Sequence, residues 1–296
     1  MKILHFISSS VVGTVAAFVG FFAYAATIGD DSVVTGYFEG GTVPGKFQYR
    51  DSEDGARLLI NYYSPSLNKT LTYSVGKFDE CSVMAMYGIP NSNQIVVDGS
   101  CFSRGGQIYE YIYEWNSRKE NWCLIREITG ERPDPALGRI APSERVSRVK
   151  GCPVLGMVGP YSYESRVETT KNIAVELKKF RNSSGERKIL IEYLNSIRSY
   201  DAAELVGYID PGNVEDVNDL AFYLSEDGRS LDAIPLLEKI VEMFPGRVVA
   251  KLNLADAYWD RDFEKKAATL YGEYYREMSA INLKQQIPSR VFVRMK

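Results

Sequence analysis

The sequence predicts an α+β protein in which a mostly antiparallel β domain with disulfides comes first and an all-α helical repeat domain follows. Three observations indicate this order. Short segments rich in Val, Ile, Thr and Tyr, each bounded by turn residues, fill the first half of the chain. The four cysteines all lie within residues 81–152, before the second part of the chain. The second half instead carries apolar residues at helical spacing.

Residues 1–25 have the layout of a secretory signal peptide. Lys2 precedes a long apolar run that ends on small residues. We expect cleavage after Ala25, and therefore an exported protein, periplasmic or extracellular, that keeps no stable membrane span. An uncleaved anchor is the alternative, because the run from Phe6 to Ala26 is long enough to span a bilayer.

Composition excludes several classes of function. The single histidine is His5, so the mature chain has none, and this excludes mechanisms that need an imidazole as base or metal ligand. The 35 basic and 38 acidic residues nearly balance and form no long run of one sign, which argues against nucleic acid as a partner. We therefore expect a protein that is not an enzyme and that uses neither a cofactor nor a metal.

Four cysteines behind an export signal predict two disulfides, for which three connectivities exist. The strand pattern favours one of them. The segment around Cys81 and Cys101 is typical of a hairpin that turns at residues 90–93, and this hairpin brings the two cysteines opposite each other. Cys123 and Cys152 then remain to form the second disulfide.

We assign residues 26–129 to the β domain, and its clearest strand begins at Gln107. Aromatic residues alternate there with Ile and Glu, so four of them share one face of the strand: Tyr109, Tyr111, Tyr113 and Trp115. Packing in the core is the favoured interpretation. The alternative is an aromatic platform that stacks on sugar rings. Acidic residues of the same region allow a glycosidase pair, although nothing in the sequence fixes their separation: Asp98, Glu110, Glu114 and Glu127.

Residues 130–163 hold five prolines and five glycines without a sustained period, which predicts a connecting segment. Residues 164–212 are predicted as a helical lead-in. A degenerate repeat over residues 180–212 is also consistent with the pattern, because 34 residues before Pro245 stands Pro211. Residues 280–296 form a basic tail with four basic residues and no acidic one, and both a capping strand and a free tail remain open.

Two copies of a 34-residue unit occupy residues 213–279. Small and large residues recur one period apart: Leu220 with Leu254, Ala221 with Ala255, Leu224 with Tyr258, Ala233 with Ala267, and Leu237 with Tyr271. This order lets two helices pack closely, and each unit needs a neighbour to cover its remaining apolar face. The pattern resembles tandem tetratricopeptide repeats, with Gly228 and Pro245 at the turn and end of the first copy. The second copy departs from it at Asp262 and Ser279.

The resemblance implies that the first helix of each pair lines a concave binding face. The residues at the matching positions are Glu215, Asn218, Phe222 and Ser225, then Val249, Leu252, Asp256 and Trp259. A face of this apolar and acidic character suits a protein or peptide with aromatic or basic anchors. The alternative is that the repeats pack on the β domain and bury Phe222 and Trp259 there.

These expectations give one function and one alternative. The first is an exported, non-enzymatic protein-binding protein of a bacterial envelope, in its most specific form an immunity or escort protein for a secreted effector. The short groove would then be completed by the β domain or by a second protein. The alternative is a glycan-binding or cell-wall-directed protein or enzyme that uses the aromatic strand.

Overall fold

The computed structural model describes residues 32–76, 85–99, 106–134, 140–157 and 162–296. Within them, nine β-strands precede eight α-helices, so the predicted order of a β part and a helical part is confirmed. No helix in these ranges is long and apolar enough to cross a membrane. The signal segment and the predicted pair of Cys81 and Cys101 lie outside the described residues.

The first four strands form an antiparallel sheet in chain order, sheet A: β1 (Ser32–Gly36), β2 (Gly45–Asp51), β3 (Arg57–Ser64) and β4 (Lys69–Gly76). Alternate residues of β3 point to the same side of the sheet. Leu58, Ile60 and Tyr62 are all buried there, whereas the residues between them are more exposed. The turn between β3 and β4 uses Asn68 at a φ of 49°, a conformation that asparagine tolerates.

The next five strands form a second antiparallel sheet, sheet B: β5 (Ala85–Gly88), β6 (Gln94–Asp98), β7 (Gln107–Asn116), β8 (Asn121–Glu131) and β9 (Ser143–Arg148). β9 lies inside residues 130–163, which the sequence predicts as a connecting segment. It pairs with β8 because Gly130 has no side chain. A Cβ at Gly130 would lie 2.0 Å from the carbonyl oxygen of Ser143.

Sheets A and B pack face to face around a cluster of aromatic rings. Trp122 is fully buried, and its ring centroid lies 5.2 Å from Phe47, 5.3 Å from Tyr62 and 5.6 Å from Trp115. Tyr113 and Trp115 of the aromatic strand are also buried in this core. The core interpretation of that strand is therefore correct for these two residues.

The predicted disulfide between Cys123 and Cys152 is present, with the two Cα atoms 4.6 Å apart. On both sides of the disulfide, backbone hydrogen bonds attach the segment around Cys152 to β8. The amide of Leu124 donates to the carbonyl of Pro153, and the amide of Leu155 donates to the carbonyl of Trp122. The chain after β9 is thereby fixed along β8, and Leu155 enters the core between the sheets.

The helices are α1 (Arg166–Ser183), α2 (Arg187–Ser196), α3 (Ser199–Val206), α4 (Val214–Glu226), α5 (Ser230–Met243), α6 (Val248–Trp259), α7 (Glu264–Ala280) and α8 (Ser289–Arg294). The starts of α4 and α6 are 34 residues apart, and so are the starts of α5 and α7. The alanines of the repeat pattern, Ala221, Ala233, Ala255 and Ala267, are all fully buried. The two helix pairs thus occur where the sequence period predicts them.

Residues 180–212 do not follow the same period. α1 continues to Ser183, and α2 ends where Ile197 adopts an extended conformation, so no helix among the described residues begins 34 residues before α4 or α5. α1 instead packs against α2 and α4 as a lead-in pair, and α3 turns toward the β part.

α3 covers the outer face of sheet B, the face that points away from sheet A. Tyr200 joins a small apolar cluster with Val96, Ile112, Ile128 and Val146 of four adjacent strands. Sheet B is therefore covered on both faces. The two parts of the molecule meet chiefly through α3 and β9. The sequence-based alternative, in which the repeats pack on the β domain and bury Phe222 and Trp259 there, places this contact on α4 and α6 instead.

The basic tail is neither a strand nor free. A 3-10 turn at Lys284–Gln286 leads into α8, which packs against α7. Ile287 and Val291 are buried, and the ring of Phe292 lies 5.8 Å from that of Tyr275. The tail therefore caps the open end of the second helix pair.

Candidate functional site

α4 and α6 lie side by side and together present a solvent-facing surface that we call the acidic face. Its residues are Glu215, Asp219, Phe222 and Glu226 of α4, Val249 and Asp256 of α6, and Asp260 directly after α6. In α4 these residues are spaced by three or four positions, and in α6 by seven and then four, which places them on one side of each helix. Five of the seven are carboxylates, with the two apolar side chains among them.

The structure places four of the eight predicted binding residues on this face: Glu215, Phe222, Val249 and Asp256. Asn218, Ser225 and Leu252 are buried and therefore do not lie on this face. The amide of Asn253 donates to Asn218 over 3.3 Å between α6 and α4. The hydroxyls of Ser225 and Ser230 lie 3.0 Å apart.

Asp219, Glu226 and Asp260 were not among the predicted binding residues. At these positions the predicted stripe lay one residue to the side of the stripe that is exposed on each helix. The predicted stripe of α4 used the residue before Asp219 and the residue before Glu226. Both of those side chains point into the helical core. The charge of these residues could have identified them from the sequence, because a carboxylate is far less compatible with burial than Asn or Ser.

Carboxylates concentrate at the end of the face where α4 and α6 finish. Partial burial raises the pKa of Asp260, and the neighbouring charges of Asp256 and Glu226 raise it further. Arg294 and Arg290 act in the opposite direction. Negative charge at this end is thus dense enough to favour a cationic group.

Two arginines of α8 occupy that end. Arg290 forms a forked contact with Asp256, in which Nε donates to Oδ1 over 2.8 Å and Nη2 donates to Oδ2 over 2.7 Å. Arg294 Nη1 donates to the hydroxyl of Tyr271 over 2.9 Å, and that hydroxyl donates to Asp256 over 2.6 Å. The guanidinium of Arg294 also lies 4.8 Å from the ring centroid of Trp259.

This tail accounts for the position of Trp259, the eighth predicted binding residue. Its ring is half-buried between Arg294 and Tyr271 and is not an open anchor. The rest of the acidic face is uncovered. Within the described part of the chain, Glu215, Asp219 and Glu226 have no salt-bridge partner.

No protein-family model matches the chain, and no curated protein matches its sequence. The resemblance to tetratricopeptide repeats therefore rests on the residue pattern and on the positions of the four helices α4 to α7.

A second concave site lies between the outer face of sheet B and helices α1 to α3. This interdomain cavity has a volume of about 560 Å³. Arg126 and Arg148 of the sheet and Glu204 of α3 lie at its wall. It was not predictable from the sequence, because its lining residues come from six separated segments.

Three acidic residues of sheet B lie close enough to affect one another electrostatically: Asp98, Glu110 and Glu144. Burial raises the pKa of Glu110 to about 7, with Asp98 and Glu144 adding to the effect. Glu127 accepts a 2.5 Å hydrogen bond from Tyr163, and Glu114 accepts one from Gln94. In the described ranges, no three residues among His, Cys, Asp and Glu are grouped so that they could hold a metal ion.

Proposed function

We propose that the protein is a non-enzymatic binding protein that uses its acidic face to hold a basic segment of another protein. The observation that carries the proposal is the contact of Arg290 and Arg294 with Asp256. The chain's own basic tail supplies an example of the group that this surface accepts, a guanidinium in forked contact with a carboxylate.

The uncovered part of the face has the composition of an interface that recognises a peptide or helix. Phe222 is half-buried against Tyr223, with ring centroids 5.2 Å apart, and Val249 is 60% exposed. Apolar anchors of this kind supply binding energy, while surrounding carboxylates speed association and select basic partners. A segment that combines arginine or lysine with apolar residues fits both requirements.

The tetratricopeptide resemblance supports the same surface by analogy, since the first helix of each pair lines the binding face in that family. Export, the bacterial envelope, and a role as an immunity or escort protein for a secreted effector remain the most specific form of the proposal. They rest on residues 1–25 and on the cysteine pattern.

The glycan alternative loses its main support. Tyr113 is 2% exposed and Trp115 is 5% exposed, because both rings pack between sheets A and B. A stacking platform requires an accessible ring face. We therefore do not propose a sugar site on this strand.

Charge reversal of the acidic face tests the proposed function. We expect Asp219→Lys with Glu226→Lys to weaken retention of basic-apolar peptides roughly tenfold, because two attractive charges become repulsive. The measurement is binding to an array of peptides that alternate arginine and apolar residues, with sequence-matched peptides carrying glutamate instead.

Glu192→Lys in α2 is the matched control, since Glu192 is exposed and lies outside the face. It should leave peptide retention unchanged. Co-purification from the native envelope then identifies the natural partner. The baits are the unmodified protein, the double variant of the acidic face and the Glu192→Lys control. The proposal is wrong if the unmodified protein retains basic peptides no better than glutamate peptides, or if both lysine variants behave alike.

A further inference from the structure

The interdomain cavity is built around a row of charged side chains on sheet B. Arg126 of β8 and Arg148 of β9 are directly opposite each other in the strand pairing. Two like charges in this position repel each other unless an acid lies between them. Glu204 of α3 fills that position and is only 3% exposed.

Glu204 forms hydrogen bonds with Arg148 but not with Arg126. Arg148 Nε donates to Oε1 over 2.8 Å, and Arg148 Nη2 donates to Oε2 over 2.8 Å. Arg126 lies farther from the acids, with its Nε 3.9 Å from Glu204 and its Nη2 4.0 Å from Asp201. Both distances exceed those of a hydrogen bond.

Arg126 is therefore a guanidinium with unfilled donors. Its Nη1 donates to the carbonyl of Ile125 over 3.1 Å, and its Nε is buried without a hydrogen-bond partner. Its side chain is 14% exposed. Buried donors are normally satisfied. Nε itself is covered, but the Arg126 side chain lines the cavity, so the remaining donors of its guanidinium can meet an acceptor there.

The other walls restrict which acceptor fits. Four apolar side chains line the helical side: Ile173, Leu177, Ile197 and Leu205. Acidic residues slightly outnumber arginines around the cavity: Glu114, Glu176, Asp201 and Glu204 against Arg126, Arg148 and Arg198. This balance disfavours phosphate and other multiply charged anions, whereas a single carboxylate can form a forked pair with Arg126.

Glu114 provides the complementary site for a cation. It lies on β7, the strand next to Arg126, and faces the same cavity. Its Oε2 accepts from Gln94 over 2.9 Å, and Gln94 in turn accepts from Tyr200 over 2.8 Å. A carboxylate held in place in this way can accept from an ammonium group.

We propose that the interdomain cavity binds a free amino acid with an apolar side chain, with its carboxylate on Arg126, its ammonium toward Glu114, and its side chain against the apolar wall. The volume of about 560 Å³ lies within the range of sites for small ligands. This inference is independent of the acidic face.

Isothermal titration calorimetry of the mature chain tests the site, with L-leucine and L-phenylalanine as probes. At least one should bind saturably. L-leucinamide lacks the carboxylate, and 4-methylpentanoate lacks the amine. We expect each to bind about tenfold more weakly than leucine, because each loses a charge-assisted contact. Inorganic phosphate should not bind.

Arg126→Gln should weaken amino-acid binding about tenfold or more, whereas Arg118→Gln in the exposed β7–β8 turn should not change it. Arg126→Gln also alters the surroundings of Asp201 and Glu204. A second pair of variants therefore tests independently whether the ligand lies in the cavity. Ser196→Trp blocks the cavity from its rim, and Asn195→Trp places the same ring outside the lining.

The proposal is overturned if neither amino acid binds, if Arg126→Gln binds as well as Arg118→Gln, or if the two tryptophan variants behave alike. Asp219→Lys with Glu226→Lys should leave amino-acid binding intact. That result separates this site from the proposed protein-binding surface.

Discussion

Glu204 joins the two parts of the molecule at the level of a single side chain. It belongs to α3, and its carboxylate forms a forked pair with Arg148 of β9. Burial lowers the pKa of Arg148, but the hydrogen bond and charge of Glu204 outweigh it, so the net shift is upward. The contact therefore holds a helix of one part against a strand of the other.

We expect Glu204→Ala to lower the free energy of unfolding by about 3–5 kcal/mol, because it leaves a partly buried guanidinium unpaired. Urea denaturation measures this loss. Glu168→Ala is the matched control, since Glu168 pairs with Lys150 at the exposed surface. It should change stability far less, because exposed ion pairs contribute little. Equal losses in the two variants would contradict the role of Glu204.

At the same scale, the sequence predicted about half of the candidate site. Glu215, Phe222, Val249 and Asp256 were found from the repeat pattern, whereas Asp219, Glu226 and Asp260 were not. A periodic pattern fixes which side of a helix is buried but leaves the edges of that side undefined. Asn218 lies at such an edge and is buried by contact with Asn253 of the neighbouring helix.

At the scale of elements, α8 shows what helical periodicity alone does not reveal. The tail is too short and too basic to be recognised as a helix from its pattern. Its helix is stabilised by tertiary contacts instead: Val291 is fully buried, and Arg290 pairs with Asp256 of α6. By contrast, α4, α5 and α7 were predictable because each carries an apolar stripe, and α6, which is buried on most sides, was predictable from the 34-residue period that links it to α4.

We expect Arg290→Ala with Arg294→Ala to lower the free energy of unfolding by about 1–3 kcal/mol and to uncover the end of the acidic face. Tryptophan fluorescence should report the change. Trp115 and Trp122 are buried between the sheets, so a shift of the emission toward longer wavelength would come from Trp259.

Arg276→Ala serves as the comparison for the tail variant, because Arg276 is exposed on α7 and donates to its own helix at Gly272. It should change neither stability nor emission. An unchanged Trp259 environment after removal of both tail arginines would show that α8 does not hold the end of the face.

At the scale of the whole molecule, sheet B is the central layer. Sheet A covers one of its faces and α3 covers part of the other. The sequence predicted the antiparallel strands from local pattern, and the Cys123–Cys152 disulfide by elimination after Cys81 and Cys101 were placed opposite each other in a hairpin. It could not predict the two-sheet arrangement or β9, since these depend on contacts between distant segments. The near absence of apolar residues in β9, where Val146 alone is buried, hid that strand.

The layer between sheet B and the helices also holds carboxyl groups that should make stability depend on pH. Burial raises the pKa of Glu110 to about 7, with Asp98 and Glu144 as further causes and Arg132 opposing them. Burial likewise raises the pKa of Glu144 to about 7, with Asp232 of α5 as the second cause. The unfolded chain has ordinary glutamate values of about 4.3.

Between about pH 4.5 and 7 the folded state therefore binds more protons than the unfolded state, so stability should fall as pH rises through this window. We expect the free energy of unfolding to be on the order of 1–3 kcal/mol higher at pH 5 than at pH 7.5. Urea denaturation across this range measures it. Glu110→Gln and Glu144→Gln should each stabilise the protein at pH 7.5 and reduce the slope, whereas Glu53→Gln in an exposed turn should do neither. A stability that rises from pH 5 to pH 7.5 in the unmodified protein would refute this account of the buried layer.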